Sequence, residues 1–120
     1  MEFFNKFLCF LLFACFMTRG SLQCFPGTVK DLVVNQVRTN AGSKVTITNK
    51  CVCSFLEVTL LCPGFDSVKK IEPPMAVSTN GRNCLINNGN PIYGGKTFEF
   101  TYTSDVEIAF APLSFREACS

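Results

Sequence analysis

The sequence predicts an all-β fold, an antiparallel β-sandwich or small barrel of about six to seven short strands cross-linked by three disulfides. From Cys24 onward, apolar residues recur with period two, which is typical of half-buried strands. Gly, Pro and Asn separate these runs at short intervals, as turns do in all-β domains. An even number of cysteines follows an apolar leader, a pattern typical of small secreted domains.

The N-terminus predicts a secretory signal peptide. Residues 7–18 carry no charge, lie between Lys6 and Arg19, and precede small residues around Gly20. This run is shorter than the ~20 apolar residues of a membrane-spanning helix, so we expect cleavage near Gly20 rather than anchoring. The predicted organisation is a signal peptide over 1–20 and a single secreted, extracellular domain over 21–120, without membrane insertion after cleavage.

Five segments of the mature chain have the alternation of strands. They are residues 30–37, 44–48, 55–62, 97–102 and 106–110. In the third segment, the even-numbered side chains from Leu56 to Cys62 share the buried face, and Glu57 lies on the other face. Residues 68–77 have the least strand-like pattern, and we expect an irregular crossover there. Turn signals separate the segments at 40–42, 63–64, 73–74, 80–81, 87–91 and 94–95.

The charge of the mature chain is close to neutral. The full sequence has 11 Lys and Arg and 9 Asp and Glu. Loss of Lys6, Arg19 and Glu2 with the leader leaves 9 minus 8, a net charge of +1. This balance gives no electrostatic argument for a nucleic-acid partner, and it disfavours a defensive cysteine-rich protein that acts on anionic membranes.

Six cysteines remain after the leader and predict three disulfides. They are Cys24, Cys51, Cys53, Cys62, Cys84 and Cys119. Zinc is the alternative for clustered cysteines, but the chain has no His and the close pair is C-x-C, so disulfides are favoured. The spacing leaves the pairing open. Cys51 and Cys53 are too close to bridge each other without strain, so each should reach a different distant partner.

The sequence is poor in groups for catalysis. Because it contains no His, it has no Ser-His-Asp or Cys-His arrangement and no imidazole metal ligand. Paired carboxylates are the remaining route, and the candidates are Glu57, Asp66, Glu72, Glu99, Asp105, Glu107 and Glu117. Glu57 and Glu99 lie on the polar faces of predicted strands, where we expect solvent-facing charge. We therefore predict that the chain is not an enzyme, has no catalytic residues and binds no metal or cofactor.

The candidate partner-binding residues lie in or beside loops, because loops on a rigid scaffold carry function. The loops that we expect to make contacts are 63–67 and 87–95. The candidate residues are Phe65, Lys69, Lys70, Asn88, Gly89 and Asn90. Phe65 follows a Pro-Gly turn and is the Phe that we expect to be exposed. Lys69 and Lys70, together with Arg82, are candidates for a small basic patch.

A cell-wall carbohydrate-binding module is the alternative interpretation, since β-sandwiches host many kinds of site. Sugar platforms use Trp or Tyr faces, whereas this sequence has no Trp and only Tyr93 and Tyr102. The one candidate for Asn-linked glycosylation is the rare N-x-C form at Asn49. We therefore expect the mature chain to carry no glycan on Asn.

Several motifs of the mature chain are specific enough to suggest a family. Residues 49–53 (NKCVC) are followed by Cys62 and by PGFDS at 63–67. Residues 84–92 (CLINNGNPI) match a C-L-[VI]-N-[DN]-G-x-P-[LI] segment, residues 95–102 a G-x-x-F-x-[FY] strand, and Cys119 a terminal cysteine. From Cys24 to the C-terminus, the chain resembles the Tapetum Determinant family of small secreted, cysteine-rich plant proteins.

This resemblance implies a function and a location. The best-known member of the family is a secreted ligand of a leucine-rich-repeat receptor kinase that sets cell fate. The resemblance therefore implies a non-enzymatic signalling protein of the apoplast, with a receptor ectodomain as its partner in cell differentiation or development.

Overall fold

The computed structural model describes Cys24 and residues 26–119, and the predicted signal peptide lies outside the described residues. The strands are β1 (Leu32–Thr39), β2 (Gly42–Asn49), β3 (Ser54–Leu61), β4 (Lys70–Glu72), β5 (Val77–Asn80), β6 (Asn83–Ile86), β7 (Thr97–Thr103) and β8 (Ala111–Ala118). They form two antiparallel sheets in the orders β1-β2-β7-β4 and β5-β6-β3-β8. Over the described residues the all-β prediction is confirmed, as a sandwich rather than a closed barrel, with eight strands instead of the six to seven expected. None of the described segments is a helix of the length and apolarity needed to cross a membrane.

The first sheet follows the sequence pattern closely. The predicted strands at 44–48 and 97–102 are the centres of β2 and β7, which pair antiparallel with Val45 opposite Phe100 and Ile47 opposite Phe98. The first predicted strand begins at Leu32 rather than at residue 30, because residues Val29–Asp31 form a 3₁₀ turn capped by the Thr28 side chain.

The second sheet has β3 between β6 and β8. Strands β5 and β6 form a hairpin in which Asn80 pairs with Asn83. Gly81 occupies the first turn position with φ +69°, where glycine avoids the steric penalty of a left-handed backbone. The sheet is cross-linked internally, because Cys62, which follows β3, is bonded to Cys84 of β6.

The alternation predicted for β3 is wrong at its start. Phe55, Val58 and Leu60 are fully buried, whereas Leu56 is only partly buried. Glu57 adopts a left-handed backbone with φ +51°, and the register with β8 shifts at this point. A β-bulge inserts one extra residue and moves the side chains on one side of it to the opposite face. Phe55 therefore fills the core position that the strict period assigned to Leu56.

The core between the sheets contains an aromatic cluster around Tyr102 of β7. Its ring centroid lies 5.7 Å from that of Phe110 and 6.3 Å from that of Phe65. The Tyr102 hydroxyl accepts a hydrogen bond from the backbone N–H of Ile108 at 2.8 Å and donates to the Gln36 side chain of β1. This buried hydroxyl thus connects β7, β1 and the segment that precedes β8.

One predicted strand is wrong, and the predicted crossover contains a strand that was not expected. Residues 106–110 form no strand, and the C-terminal strand is β8 instead. The backbone of Ile108 bonds to side chains, its N–H to the Tyr102 hydroxyl and its carbonyl oxygen to the Gln36 amide at 3.0 Å. Residues 68–77 do connect the two sheets, but they also contribute β4, which pairs with β7.

Candidate functional site

Asn49, the last residue of β2, has a buried side chain that links two loop segments at one end of the sandwich. Its side chain is 0% exposed. The Asn49 amide nitrogen donates to the carbonyl oxygens of Cys53 and Ile92, each at 2.8 Å. Its side-chain oxygen accepts from the Cys51 N–H, also at 2.8 Å. The amide therefore holds the C-x-C segment against the loop that follows residue 91, and both of its hydrogens are engaged.

Two disulfides close the same end. Cys24 is bonded to Cys51, and Cys53 is bonded to Cys119, which directly follows β8. The prediction that the two cysteines of the C-x-C pair reach different distant partners is confirmed. We call residues 49–53 and 92–96, together with Cys24 and Cys119, the bridged end.

The cysteines of the bridged end each have a carboxylate nearby. Asp31 lies beside the Cys24–Cys51 bridge and Glu117 beside the Cys53–Cys119 bridge. In both groups the sulfurs are bonded to each other, so they supply no thiolate ligand for a metal ion. Asp31 accepts the Thr28 N–H at 2.8 Å, and Glu117 accepts the Gly27 N–H at 2.9 Å. These carboxylates therefore have a structural role in fixing the chain ahead of β1.

The loop 93–96 lies against the C-x-C segment without space between their backbones. A β-carbon added to Gly94 would lie 2.2 Å from the carbonyl oxygen of Val52, so only glycine allows this approach. The Asn49 N–H donates to the Lys96 carbonyl oxygen, and the Gly95 N–H donates to the Asn49 carbonyl oxygen, each at 3.0 Å. Val52 projects from the C-x-C segment and Tyr93 from the loop, and each residue is 61% exposed.

A groove lies on the outer face of the second sheet and extends along β3 toward the β5–β6 hairpin. It consists of two adjoining cavities of about 440 and 470 Å³ that share Thr59, Leu85 and Ser114. The first cavity is further lined by Glu57, Asn88, Gly89, Phe115 and Arg116, and the second by Ser78, Thr79, Asn80, Asn83 and Leu113. Hydroxyl and amide groups therefore make up much of its wall.

Glu57 lines this groove from the outer face of β3, opposite buried Val58. One of its carboxylate oxygens lies 3.4 Å from an Arg116 nitrogen, and both side chains are exposed. Glu99 on β7 pairs in the same way with Lys44 at 3.5 Å. The prediction that Glu57 and Glu99 are solvent-facing charges is confirmed.

The other predicted binding residues are dispersed. Asn88 and Gly89 line the groove, whereas Asn90 is exposed beyond it. Lys69 pairs with Asp105 at 3.1 Å and Lys70 with Glu72 at 3.5 Å. A carboxylate thus offsets the charge of each lysine locally, and the two do not present an unpaired basic patch.

The expectation that Phe65 is exposed is wrong. Its side chain is only 4% exposed and packs against both the Tyr102 and Phe110 rings, at centroid distances of 6.3 and 5.9 Å. The Pro-Gly turn before it leads into a 3₁₀ turn over Phe65–Ser67, which directs the ring inward. Phe65 is therefore a core residue.

Sequence reasoning missed the residues that build the bridged end. From the sequence, Asn49 is a glycosylation candidate of the rare N-x-C form and the first residue of the NKCVC motif, but in the folded chain it is fully buried and both amide hydrogens are bonded. A polar residue directly after the predicted strand 44–48, and two residues before the first cysteine of C-x-C, was the available signal. Tyr93 and Gly94 lie in the predicted contact loop 87–95, but no pattern in the sequence pairs them with Val52, because their proximity depends on a long-range approach of two loops.

Comparisons with known proteins place the chain in a family. The family model described as Tapetum determinant 1, C-terminal, matches residues 28–120. The uncharacterised Arabidopsis thaliana protein At1g05835 is 32% identical over 89 residues, which cover 70% of this chain and 69% of that protein. TPD1 protein homolog 1 of A. thaliana is 30% identical over 82 residues, covering 62% of this chain but only 46% of that protein. No solved structure shows significant similarity. Since the family match includes every strand of the sandwich, the chain belongs to the Tapetum determinant 1 family.

Proposed function

We propose that this chain is a secreted, non-enzymatic signalling protein that acts as a ligand for the ectodomain of a plant leucine-rich-repeat receptor kinase in cell differentiation or development. Membership of the Tapetum determinant 1 family and similarity to a relative named TPD1 protein homolog 1 support a signalling role. Three disulfides support an extracellular location, because such bonds persist in oxidising compartments.

The geometry that best supports a ligand is the bridged end. Exposed Val52 and Tyr93 project from backbone that is held in place by two disulfides, by the hydrogen bonds of the Asn49 side chain and by the close contact of Gly94 with Val52. A surface that is already ordered loses little conformational entropy when it docks on a partner. Exposed apolar side chains on such a base are typical of a surface that is covered in a complex.

The side-chain chemistry supports binding without catalysis. The sequence contains no His, and the six cysteines of the mature chain are all bonded in pairs. Four of the described carboxylates, Glu57, Glu72, Glu99 and Asp105, pair with basic side chains at the surface. These four carboxylates therefore act as partners in surface ion pairs, which supports binding rather than nucleophilic or proton-transfer chemistry.

A binding panel tests this proposal. The secreted, disulfide-bonded chain is passed over immobilised leucine-rich-repeat receptor-kinase ectodomains, and binding is measured by biolayer interferometry. The reduced and alkylated chain is the matched control. We expect at least one ectodomain to bind the bonded chain and not the control. Binding to none of them would contradict the proposal.

A second candidate function is recognition of cell-wall polysaccharide in the groove. Its hydroxyl and amide lining supports this candidate, because sugar hydroxyls are recognised by such hydrogen-bonding groups. Pull-down on cellulose, pectin and xylan tests it. Retention on one polysaccharide that is lost on Asn83→Ala and Ser114→Ala substitution would favour the groove, and no retention would reject it.

A further inference from the structure

We propose that the tip of the bridged end, formed by Val52 and Tyr93 and flanked by Lys50 and Lys96, docks on an acidic protein surface that has an apolar pocket at its centre. This inference rests on the proposed function as a receptor ligand. It adds which face of the chain docks and what chemistry the ectodomain presents there.

The apolar part of the tip comes from two side chains that the backbone brings together. The Gly94 backbone lies directly against the Val52 carbonyl. Val52 and Tyr93, the residue before Gly94, therefore project from neighbouring points of the surface. Both are 61% exposed. A tyrosine has only two side-chain torsions and a large amphipathic ring, which is why it is enriched among the residues that dominate binding energy.

The base under the tip is unusually constrained for a loop surface. Cys51 and Cys53, on either side of Val52, are each bonded to a distant cysteine. The Asn49 amide joins Cys53 to Ile92, next to Tyr93. Both apolar side chains therefore project from backbone that is fixed before any partner arrives.

The exposed charges that flank the tip in the sequence are those of two lysines. Lys50 and Lys96 are exposed, and neither ammonium has a carboxylate within 4 Å in the described part of the chain. Asp31 and Glu117 are the carboxylates beside the two bridges, and they are partly buried and accept backbone N–H groups. Two available cations beside an apolar centre are complementary to a carboxylate-rich surface, and such complementarity accelerates association.

The test compares charge reversals at the tip with charge reversals elsewhere. The tip variant carries Lys50→Glu and Lys96→Glu. The control variant carries Arg38→Glu and Arg82→Glu, which change the net charge equally at exposed positions in the β1 strand and the β5–β6 turn. Tyr93→Ala is compared with Met75→Ala, which removes another exposed apolar side chain. All variants must show the same thermal midpoint and disulfide content as the wild type.

We expect the tip reversal to slow association with the bound ectodomain about tenfold more than the control reversal at about 50 mM NaCl, and the difference to shrink at about 500 mM. Tyr93→Ala should raise Kd about tenfold or more through faster dissociation, and Met75→Ala less than about twofold. If the wild type binds an ectodomain and the tip variants behave like the controls, this inference is overturned while the proposed function stands.

A titration with an acidic polymer distinguishes failure of the receptor proposal from failure of the docking tip. In an NMR titration with poly-L-glutamate, we expect amide shift changes concentrated at Lys50, Val52, Tyr93 and Lys96. If no ectodomain binds but this localised response is present, the proposed receptor fails and the acidic docking tip stands. Shift changes that are spread evenly over the chain, or centred on Arg38 and Arg82, would overturn the tip.

Discussion

Replacing Asn49 by alanine should destabilise the folded chain far more than removing an exposed asparagine. The substitution leaves the Cys51 N–H and the Cys53 carbonyl without a partner among the described residues, whereas the Ile92 carbonyl keeps the bond from the Phe55 N–H at 3.1 Å. A buried polar group without a partner costs about 1–3 kcal/mol. We therefore expect the free energy of unfolding to fall by about 3 kcal/mol, a large part of the ~5–15 kcal/mol of a typical domain.

Urea denaturation of the oxidised, secreted protein measures this loss, with an unchanged slope as the sign that the same structure unfolds. Asn83→Ala in the exposed β5–β6 hairpin is the matched control, and we expect less than about 0.5 kcal/mol there. Asn49→Asp should be at least as harmful as Asn49→Ala, because it places a carboxylate oxygen where the amide donates to two carbonyl oxygens. If Asn49→Ala lowers the free energy of unfolding no more than the control does, the Asn49 hydrogen bonds do not stabilise the fold as argued.

Three further outcomes follow from the cross-links and the tip. The double substitution of Cys62 and Cys84 by serine should lower the free energy of unfolding by about 3 kcal/mol, because the disulfide closes a loop between residues that are 22 apart in sequence. The urea midpoint of unfolding measures this change. Gly94→Ala should cost about 1–3 kcal/mol, because the new methyl meets the Val52 carbonyl, and an unchanged thermal midpoint would contradict that contact. Mass spectrometry of the secreted chain should show a start near Ser21, six hydrogens fewer than the reduced form, and no glycan; free thiols would contradict the framework.

The strands with strict alternation and local turns could be predicted from the sequence. Val45 and Ile47 in β2, and Phe100 and Tyr102 in β7, lie on the buried face as their period requires. One face of an antiparallel sheet packs on the core, so period two carries nearly all the information that such strands need. The separate distant partners of Cys51 and Cys53 also followed from simple geometry.

The elements that failed depend on contacts between distant parts of the chain. A bulge such as that at Glu57 leaves no mark on the period until the register to β8 is known. Ile108 lies in an alternating segment, but its backbone bonds to Tyr102 and Gln36 side chains instead of a neighbouring strand. Phe65 follows a turn signal, yet a nearby aromatic cluster gives its ring a buried site. In each case tertiary packing overrides the local pattern.

The candidate site was predicted only in part for the same reason. The loop 87–95 was expected to carry contacts, and it does contain Tyr93 as well as the groove residues Asn88 and Gly89. Its pairing with the C-x-C segment depends on Asn49, whose role is visible only when Ile92 and Cys53 are seen on either side of it.

Receptor activation tests the central claim most directly. The secreted, disulfide-bonded chain is applied to plant cells that express each receptor kinase of the binding panel, and phosphorylation of the kinase domain is measured over time. The reduced and alkylated chain serves as the control. We predict a rise in phosphorylation of the kinase whose ectodomain binds the chain, with the bonded form only. No change in any kinase, or an equal response to the reduced control, would contradict the claim that this rigid β-sandwich is a receptor ligand.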